Sequence, residues 1–203
     1  MPCYADYPSA STGSKRLVDA DGDNMVTMDE VLSVRSLSTR DDRNNSIFQN
    51  NTSIVTFNEF KFFKALNMVN SNTFMGCTAL REVSFPVGVE NIGDSVLQKC
   101  SSLRKVMIPE GYRVIGRLFC EGCISMEIID LPSTLESINV GLIWALNDQI
   151  SVICRAVIPP AMSNLNARPL ALYVPDESLS AYQVASGWSQ YAKFMKPLSE
   201  YEG

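Results

Sequence analysis

Apolar residues recur in the middle of the chain at an interval of 23 residues, and the polar residues between them keep the same register. Three segments align in this way: CTALREVSFPVGVENIG from residue 77, CSSLRKVMIPEGYRVIG from residue 100 and CISMEIIDLPSTLESIN from residue 123. In each segment, alternating apolar and polar positions predict a short strand that ends at a proline, and a later apolar pair predicts a second short strand. The repeated apolar positions are Cys77, Cys100 and Cys123; Leu80, Leu103 and Met126; Val83, Val106 and Ile129; Phe85, Ile108 and Leu131; and Ile92, Ile115 and Ile138.

A period of this length with leucine-like positions is typical of a leucine-rich-repeat solenoid. We therefore expect an α/β fold: a right-handed, β-rich solenoid of 23-residue coils, each of which buries its apolar edge against its neighbours. Gly93 and Gly116 follow the second strand in two of the coils and are expected to permit the turn there. A solenoid usually presents an extended binding surface rather than a catalytic cleft, so the period favours recognition.

The pattern divides the chain into four parts. We expect a flexible tail at 1–14, a calcium-loop segment with a polar connector at 15–46, the solenoid at 47–170 and a C-terminal capping unit at 171–203. In the capping unit, Asp176 suits the N-terminus of a helix that runs to about Ser186. The apolar positions of the predicted first coil are Ile54, Phe57, Phe60, Phe63 and Leu66, and those of the capping unit are Trp188, Tyr191, Phe194 and Met195.

Composition narrows the classes of function. The chain has 203 residues, a formal net charge of −5 and no histidine. The negative charge argues against a nucleic-acid partner, which would need a clustered basic face. The absence of histidine removes histidine bases, Ser-His and Cys-His nucleophile pairs and most zinc sites. No catalytic motif is recognisable among the remaining side chains, so we expect a protein that is not an enzyme.

Two further expectations concern membranes and cysteines. No apolar run has the roughly 18 residues of a membrane span, and no secretory signal peptide is visible. The three cysteines that share a repeat slot are expected to stack as buried small hydrophobes rather than to form disulfides, and Cys120 also occupies a core slot. Cys154 lies in a predicted strand without an obvious partner. Cys3 fits two interpretations: a chance cysteine in a tail, or the remnant of a lipid-attachment cysteine after removal of a signal.

The acidic residues concentrate near the N-terminus, where the segment DADGDNMVTMDE at residues 19–30 fits the EF-hand calcium loop. Calcium takes oxygen ligands, and the loop supplies them as carboxylates, one backbone carbonyl and a closing bidentate glutamate. Calcium is therefore the expected cofactor. The predicted ligands are Asp19, Asp21, Asp23, Met25 through its carbonyl, Thr27 and Glu30.

Two features set this loop apart from a regular EF-hand. Asn24 stands where the loop normally has glycine, although asparagine is the best non-glycine residue for the left-handed backbone needed there. The preceding helix is reduced to a few residues, whereas Val31, Leu32 and Leu37 give the following helix an apolar face. We expect weakened calcium binding; the alternative is a vestigial loop that only caps the following helix.

Outward positions on the predicted strands offer a candidate recognition face. They carry mixed charge and suit a protein or glycan partner. The alternative is a solvated surface on which Glu82 and Lys105 form a weak pair across neighbouring coils. The candidate residues are Arg81, Glu82, Ser84, Arg104, Lys105, Met107, Glu127 and Asp130.

Together these features resemble the BspA-type leucine-rich-repeat family of bacterial surface proteins. The motif that carries the resemblance is FMGCTALREVSFPVGVENIG at residues 74–93, with weaker copies that begin at residues 97 and 120. Upstream, TSIVTFNEFKFFKAL is similar to the first coil of members from gut Bacteroidetes, which often follows an EF-hand- or dockerin-like calcium loop. Downstream, ALYVPDESLSAYQVASGWSQYAKFMKPL is similar to their closing unit, so the resemblance covers roughly residues 17–203.

The resemblance implies an exported protein, held at the cell surface or secreted, that mediates adhesion or binding and has no catalytic activity. Its partner would be a protein or a glycan, and calcium would stiffen the N-terminal end. The competing hypothesis is a structural or scaffolding module that assembles at the surface without an external ligand. The chain departs from the family in having no visible export signal and in Cys120, which replaces the usual phenylalanine.

Overall fold

The computed structural model describes residues 28–37, 46, 48–143 and 149–202. The strands are β1 Thr56–Phe57, β2 Glu82–Val83, β3 Asn91–Ile92, β4 Lys105–Met107, β5 Val114–Ile115, β6 Ile128–Leu131, β7 Ser137–Ile138, β8 Ser151–Cys154, β9 Ala171–Val174 and β10 Met195–Pro197. The α-helices are α1 Met28–Ser33 and α2 Leu179–Val184, and short 3-10 helices cover Asn58–Phe62, Asp176–Ser178, Ser189–Phe194 and Leu198–Glu200.

Successive coils add parallel strands to sheets that run along the molecule. The order of the five-stranded main sheet is β10-β9-β8-β6-β4, β3-β5-β7 form a second sheet, and β1 pairs with β2. Equivalent residues of neighbouring coils pair with each other: Val106 with Ile129, Ile129 with Val152, and Val152 with Leu172. This stacking of equivalent residues confirms the repeat solenoid of the α/β class that the period predicted.

The repeated apolar positions form one continuous core, as predicted. Each of the fifteen side chains in the five slots is at most 5% exposed. The first coil joins the same core through its phenylalanines, since the rings of Phe57 and Phe60 lie 5.7 and 5.1 Å from the ring of Phe74 in edge-to-face contact. Neighbouring coils therefore stabilise each other through this shared core.

The cysteines of the repeat slot combine apolar packing with hydrogen bonding. All five cysteines in the described residues are free and buried. Cys77, Cys100 and Cys123 each donate an S–H hydrogen bond to a backbone carbonyl of the preceding coil, over 3.0–3.1 Å. Burial raises the pKa of Cys77 to about 12 and that of Cys154 to about 11. The thiols of Cys77 and Cys154 therefore stay protonated at neutral pH and are poor nucleophiles.

The prediction that Gly93 and Gly116 are needed for the backbone turn after the second strand is wrong. Neither glycine has a positive φ; the left-handed residues of these turns come two positions later, at Ser95 and Leu118, with φ of 57° and 56°. The two glycines are instead needed because neighbouring coils approach each other there. A Cβ on Gly116 would lie 2.4 Å from the carbonyl carbon and oxygen of Gly93, and a Cβ on Gly93 would lie 2.5 Å from the backbone nitrogen of Ser71.

The segment after α1 is anchored on the first coil. Val34 and Leu37 are 6% and 0% exposed and belong to the main core, whereas Leu32 is 41% exposed, so its predicted place on the apolar face is wrong. The backbone N–H of Leu37 donates to Asn70 Oδ1 over 2.8 Å, and the Ser46 hydroxyl donates to the Leu37 carbonyl over 2.9 Å. The end of the predicted calcium-loop segment thus contributes directly to the solenoid core.

The capping unit differs from its prediction at Asp176. Its helical region starts with a 3-10 turn, and α2 ends at Val184, close to the predicted end. Asp176 does not cap this helix; its carboxylate accepts hydrogen bonds from the backbone N–H and the hydroxyl of Ser199, over 3.0 and 2.6 Å. These bonds hold the pKa of Asp176 below its usual value. The carboxylate therefore fastens the C-terminal segment instead of the start of α2.

Candidate recognition surface

The predicted recognition residues lie on β2, which pairs with β1, and on β4 and β6 of the main sheet, or directly before or after these strands. Because strand side chains alternate, Val83, Val106 and Ile129 enter the core while their neighbours lie on the outer face. Of the eight predicted residues, six are exposed, Ser84 is half-buried and Asp130 is buried. The six exposed residues are Arg81, Glu82, Arg104, Lys105, Met107 and Glu127.

Asp130 lies on the outer face but does not offer a free carboxylate. Arg155 donates two hydrogen bonds to it, one to each carboxylate oxygen and both over 2.8 Å, and the Asp130 side chain is only 8% exposed. The hydrogen bond to Asp130 raises the pKa of Arg155 above its usual value. Asp130 is therefore not available to a partner, because both of its carboxylate oxygens already accept hydrogen bonds from Arg155.

The C-terminal segment covers the far end of the outer face. Ile153 lies in register between Asp130 and Tyr173, and it is fully buried although it is not part of the main core. The ring of Tyr201 lies 5.0 Å from the ring of Tyr173, so the residues after β10 pass over the outer side of β9. The part of the outer face that stays open is therefore formed by β2, β4 and the start of β6.

A groove of about 670 Å³ lies beside this open face, at the N-terminal ends of the strands. Its lining residues are Arg81, Ser102, Arg104, Ser125, Glu127 and Gln149. Sequence reasoning found the three charged residues and missed the other three. Ser102 and Ser125 could have been found, because they lie 23 residues apart and share one repeat slot. Gln149 carries no such signal, because the period has failed by that point.

Charges in the groove compensate each other only in part. Arg104 Nε donates to Glu127 Oε1 over 2.9 Å, but the two side chains remain 66% and 49% exposed. An ion pair this exposed contributes about 0–1 kcal/mol, so a partner can displace it. Within the described residues Arg81 has no ion pair. The groove therefore carries an excess of positive charge in a chain whose formal net charge is −5.

The weak pair predicted between Glu82 and Lys105 does not form. β2 and β4 belong to different sheets, and Glu82 Oε1 instead accepts a hydrogen bond from Asn58 Nδ2 over 3.1 Å. The Ser84 hydroxyl donates to Oδ1 of the same asparagine over 2.8 Å. The polar residues of β2 are therefore tied to the first coil, and in the part of the chain that is described Lys105 keeps no ion-pair partner.

The second sheet has a different charge pattern. Arg113 pairs with Glu136 and lies 3.9 Å from Glu90, and Arg117 lies 3.1 Å from Asp94. Arginines there meet carboxylates of the neighbouring coils, so each positive charge is compensated within the solenoid. In this respect the second sheet differs from the groove beside the main sheet, where Arg81 has no ion pair within the described residues.

The predicted calcium loop lies almost entirely outside the described residues. Glu30 is described and stands in the first turn of α1. Elsewhere in the described residues, no group of three or more acidic or cysteine side chains is arranged so that it could hold a metal ion. The predicted ligands that fall outside the described residues are Asp19, Asp21, Asp23, Met25 and Thr27.

Comparison with known proteins identifies the repeats. The family model described as "BspA type Leucine rich repeat region" matches residues 42–152 in six copies, which is more than half of the chain. The chain belongs to the BspA-type leucine-rich-repeat family. This family assignment confirms the resemblance inferred from the residue 74–93 motif and its copies.

Among solved structures, this BspA-type chain is similar to the T. pallidum Leucine Rich Repeat protein (TpLRR), which is known from a crystal structure. The two are 19% identical, the similarity covers 73% of this chain and 77% of that chain, and the TM-score is 0.39. No curated protein matches the chain.

Leucine-rich repeats generally mediate protein binding or adhesion, and BspA-type proteins are typically surface-associated and non-catalytic. In the described parts of the chain, none of the helices is both long enough and apolar enough to cross a membrane.

Proposed function

We propose that this BspA-type chain is a non-catalytic binding module of a bacterial cell-surface or secreted protein, of the kind found in gut Bacteroidetes. It recognises a protein or glycan partner through the open outer face, on a right-handed solenoid of 23-residue coils. The observation that supports this most directly is the placement of Arg81 and Arg104 in the groove, with 53%-exposed Met107 on the adjacent strand β4. Arginine and methionine are enriched in protein interfaces, whereas lone exposed apolar side chains elsewhere need no such explanation.

The first test compares the open face with a distant exposed site. The double variant Lys105→Glu/Met107→Glu is expected to lower binding to a panel of purified matrix proteins and glycans at least about tenfold, because it reverses one charge and adds another. Surface plasmon resonance measures the affinities. Val184→Glu is the control, since Val184 is 80% exposed on α2 in the capping unit. Equal binding by wild type and the double variant would show that the open face is not the recognition surface.

The second candidate function is a scaffold that assembles with copies of itself. Light scattering over a range of protein concentrations separates the two: a scaffold self-associates and binds nothing on the panel, whereas a recognition module stays monomeric until its partner is added. Exposed Val157 and Ile158, at 55% and 81%, form an apolar turn near the C-terminal coils that would favour self-association.

We further propose that calcium stabilises the N-terminal end of the solenoid. Residues 19–30 supply the carboxylate and carbonyl oxygens that calcium prefers, and Glu30 closes the ligand set from α1. The support for a link to the solenoid is the short distance in sequence from Glu30 to Leu37, which is fully buried and bonded to Asn70. A ligand that binds only the folded chain raises its stability by mass action.

Calcium is therefore expected to raise the melting temperature, and EDTA to lower it. At a free calcium concentration about a hundred times Kd, the gain in the free energy of unfolding is about 2.7 kcal/mol. Asp21→Ala and Glu30→Ala should abolish the difference between calcium and EDTA in differential scanning fluorimetry. Asp29→Ala removes a neighbouring carboxylate that is not a predicted ligand, and should keep the response. A calcium response that survives Asp21→Ala and Glu30→Ala would contradict the site.

A further inference from the structure

We propose that the groove beside the open face binds an extended peptide segment of a protein partner that carries carboxylate side chains. This inference rests on the proposed function, because it names the class of partner that the same surface would take. The groove combines three features: positive charge that has no ion pair within the described residues, side-chain hydrogen-bond donors without partners there, and adjacent exposed apolar side chains.

The positive charge selects an anionic group. Arg81 and Arg104 line the same groove, and only Arg104 has a carboxylate partner there, Glu127. Because that pair is exposed, an incoming carboxylate can share or replace Glu127 at little cost. Guanidinium groups bind carboxylates with two parallel hydrogen bonds, which gives orientation as well as attraction. The formal net charge of the whole chain is −5, so this local positive region would also steer an acidic segment to the groove.

The other residues that line the groove supply uncharged hydrogen-bond donors. Ser102, Ser125 and Gln149 have no side-chain hydrogen-bond partner within the described residues. Two hydroxyls and an amide can donate to the carbonyl oxygens of an extended backbone, which exposes one carbonyl per residue. A groove volume of about 670 Å³ suits a few residues of such a segment.

Apolar side chains next to the groove could contact the apolar side chains of a bound peptide. Met107 is 53% exposed and Ile128 is half-buried, and both lie on the outer side of neighbouring strands β4 and β6. Successive side chains of an extended peptide point to opposite sides, so acidic residues can face the groove while apolar residues between them lie on this strip. Methionine adapts its shape to different apolar partners.

A glycan fits the groove less well. Proteins commonly bind the apolar face of a sugar ring by stacking an aromatic side chain against it. None of the six lining residues of the groove is aromatic. Tyr173 lies on the outer face further along, and the ring of Tyr201 covers it at 5.0 Å. The chain's own C-terminal segment therefore occupies the aromatic part of the face.

The closing experiment uses fluorescence anisotropy with the intact protein. The probe is a short fluorescein-labelled peptide in which glutamate alternates with leucine, and its matched control has glutamine in place of glutamate. We expect the acidic peptide to bind and the glutamine peptide to bind at least about tenfold more weakly, because charge-assisted hydrogen bonds are lost. Arg81→Gln should lower the affinity for the acidic peptide about tenfold. Arg113→Gln makes the same change in net charge on the second sheet and should have no effect.

The remaining outcomes separate the possible failures. Equal affinity for the two peptides, or an Arg81→Gln variant that binds like wild type, would overturn the proposal. Binding of heparin or polygalacturonate that Arg81→Gln abolishes, with no peptide binding, would replace the peptide with an anionic glycan. A third outcome is that neither the peptides nor the anionic glycans bind, although the Lys105→Glu/Met107→Glu variant binds the matrix proteins and glycans more weakly than wild type. In that case the assignment of the groove is wrong and the proposed function stands.

Discussion

Replacement of Trp188 by alanine is expected to lower the free energy of unfolding by about 3–5 kcal/mol. Trp188 is fully buried, its ring lies 4.9 Å from the ring of Tyr182, and its indole N–H donates to the carbonyl of Pro160 over 2.7 Å. The substitution leaves a large cavity and an unpaired buried carbonyl beneath the capping unit. Urea unfolding followed by far-UV circular dichroism measures the loss.

Two controls divide this effect into its parts. Trp188→Phe keeps an aromatic ring in the core but removes the hydrogen bond and part of the ring volume, so it should cost about 1–3 kcal/mol. Val184→Ala, at a position that is 80% exposed, should stay within about 0.5 kcal/mol of wild type. If Trp188→Ala unfolded at the same urea concentration as Val184→Ala, the capping unit would not seal the core. Sealing matters for recognition, because Tyr201, which covers the far end of the outer face, belongs to this unit.

Gly116→Ala is the second substitution with a large expected effect, a loss of about 3 kcal/mol in the free energy of unfolding. The new Cβ would lie 2.4 Å from the carbonyl carbon and oxygen of Gly93, which are backbone atoms of the neighbouring coil. Backbone cannot rotate away as a flexible side chain can, so the two coils must separate and weaken the contacts of the core between them. The same urea unfolding measurement reports the change.

The control for Gly116 is Asn139, which occupies the same slot in the next coil and is exposed. Asn139→Ala should change the free energy of unfolding by no more than about 0.5 kcal/mol, since that slot already holds a side chain. Equal stability of Gly116→Ala and Asn139→Ala would mean that the coils are not in close contact at Gly93 and Gly116. Such a result would also remove the explanation offered for these glycines.

The repeat made the core predictable residue by residue. Cys77, Leu80 and Val83 could be assigned to the interior because their equivalents one coil later are also apolar, and stacking brings equivalents together. The same reasoning located the strands and the first coil. It did not identify the thiol hydrogen bonds, because a cysteine's bond to a carbonyl depends on the distance between coils rather than on residue type.

The recognition surface was predictable only in part. Arg81, Arg104 and Glu127 follow from strand alternation, which depends on local geometry alone. Asp130 has the same sequence position as Met107 one coil earlier, yet its pairing with Arg155 makes it unavailable. No local pattern predicts that pairing, because Arg155 comes after the period has failed.

Periodicity thus determined the family, the coil-by-coil core and the side of the chain that faces solvent, since each of these depends on which residues repeat. The tertiary structure decided which part of that side is open. Tyr201 and Arg155 close its far end through contacts between residues that share no repeat slot, and the groove exists where Arg81 has no such neighbour within the described residues. Contacts of this kind depend on the path of the chain in space, and a one-dimensional period does not encode that path.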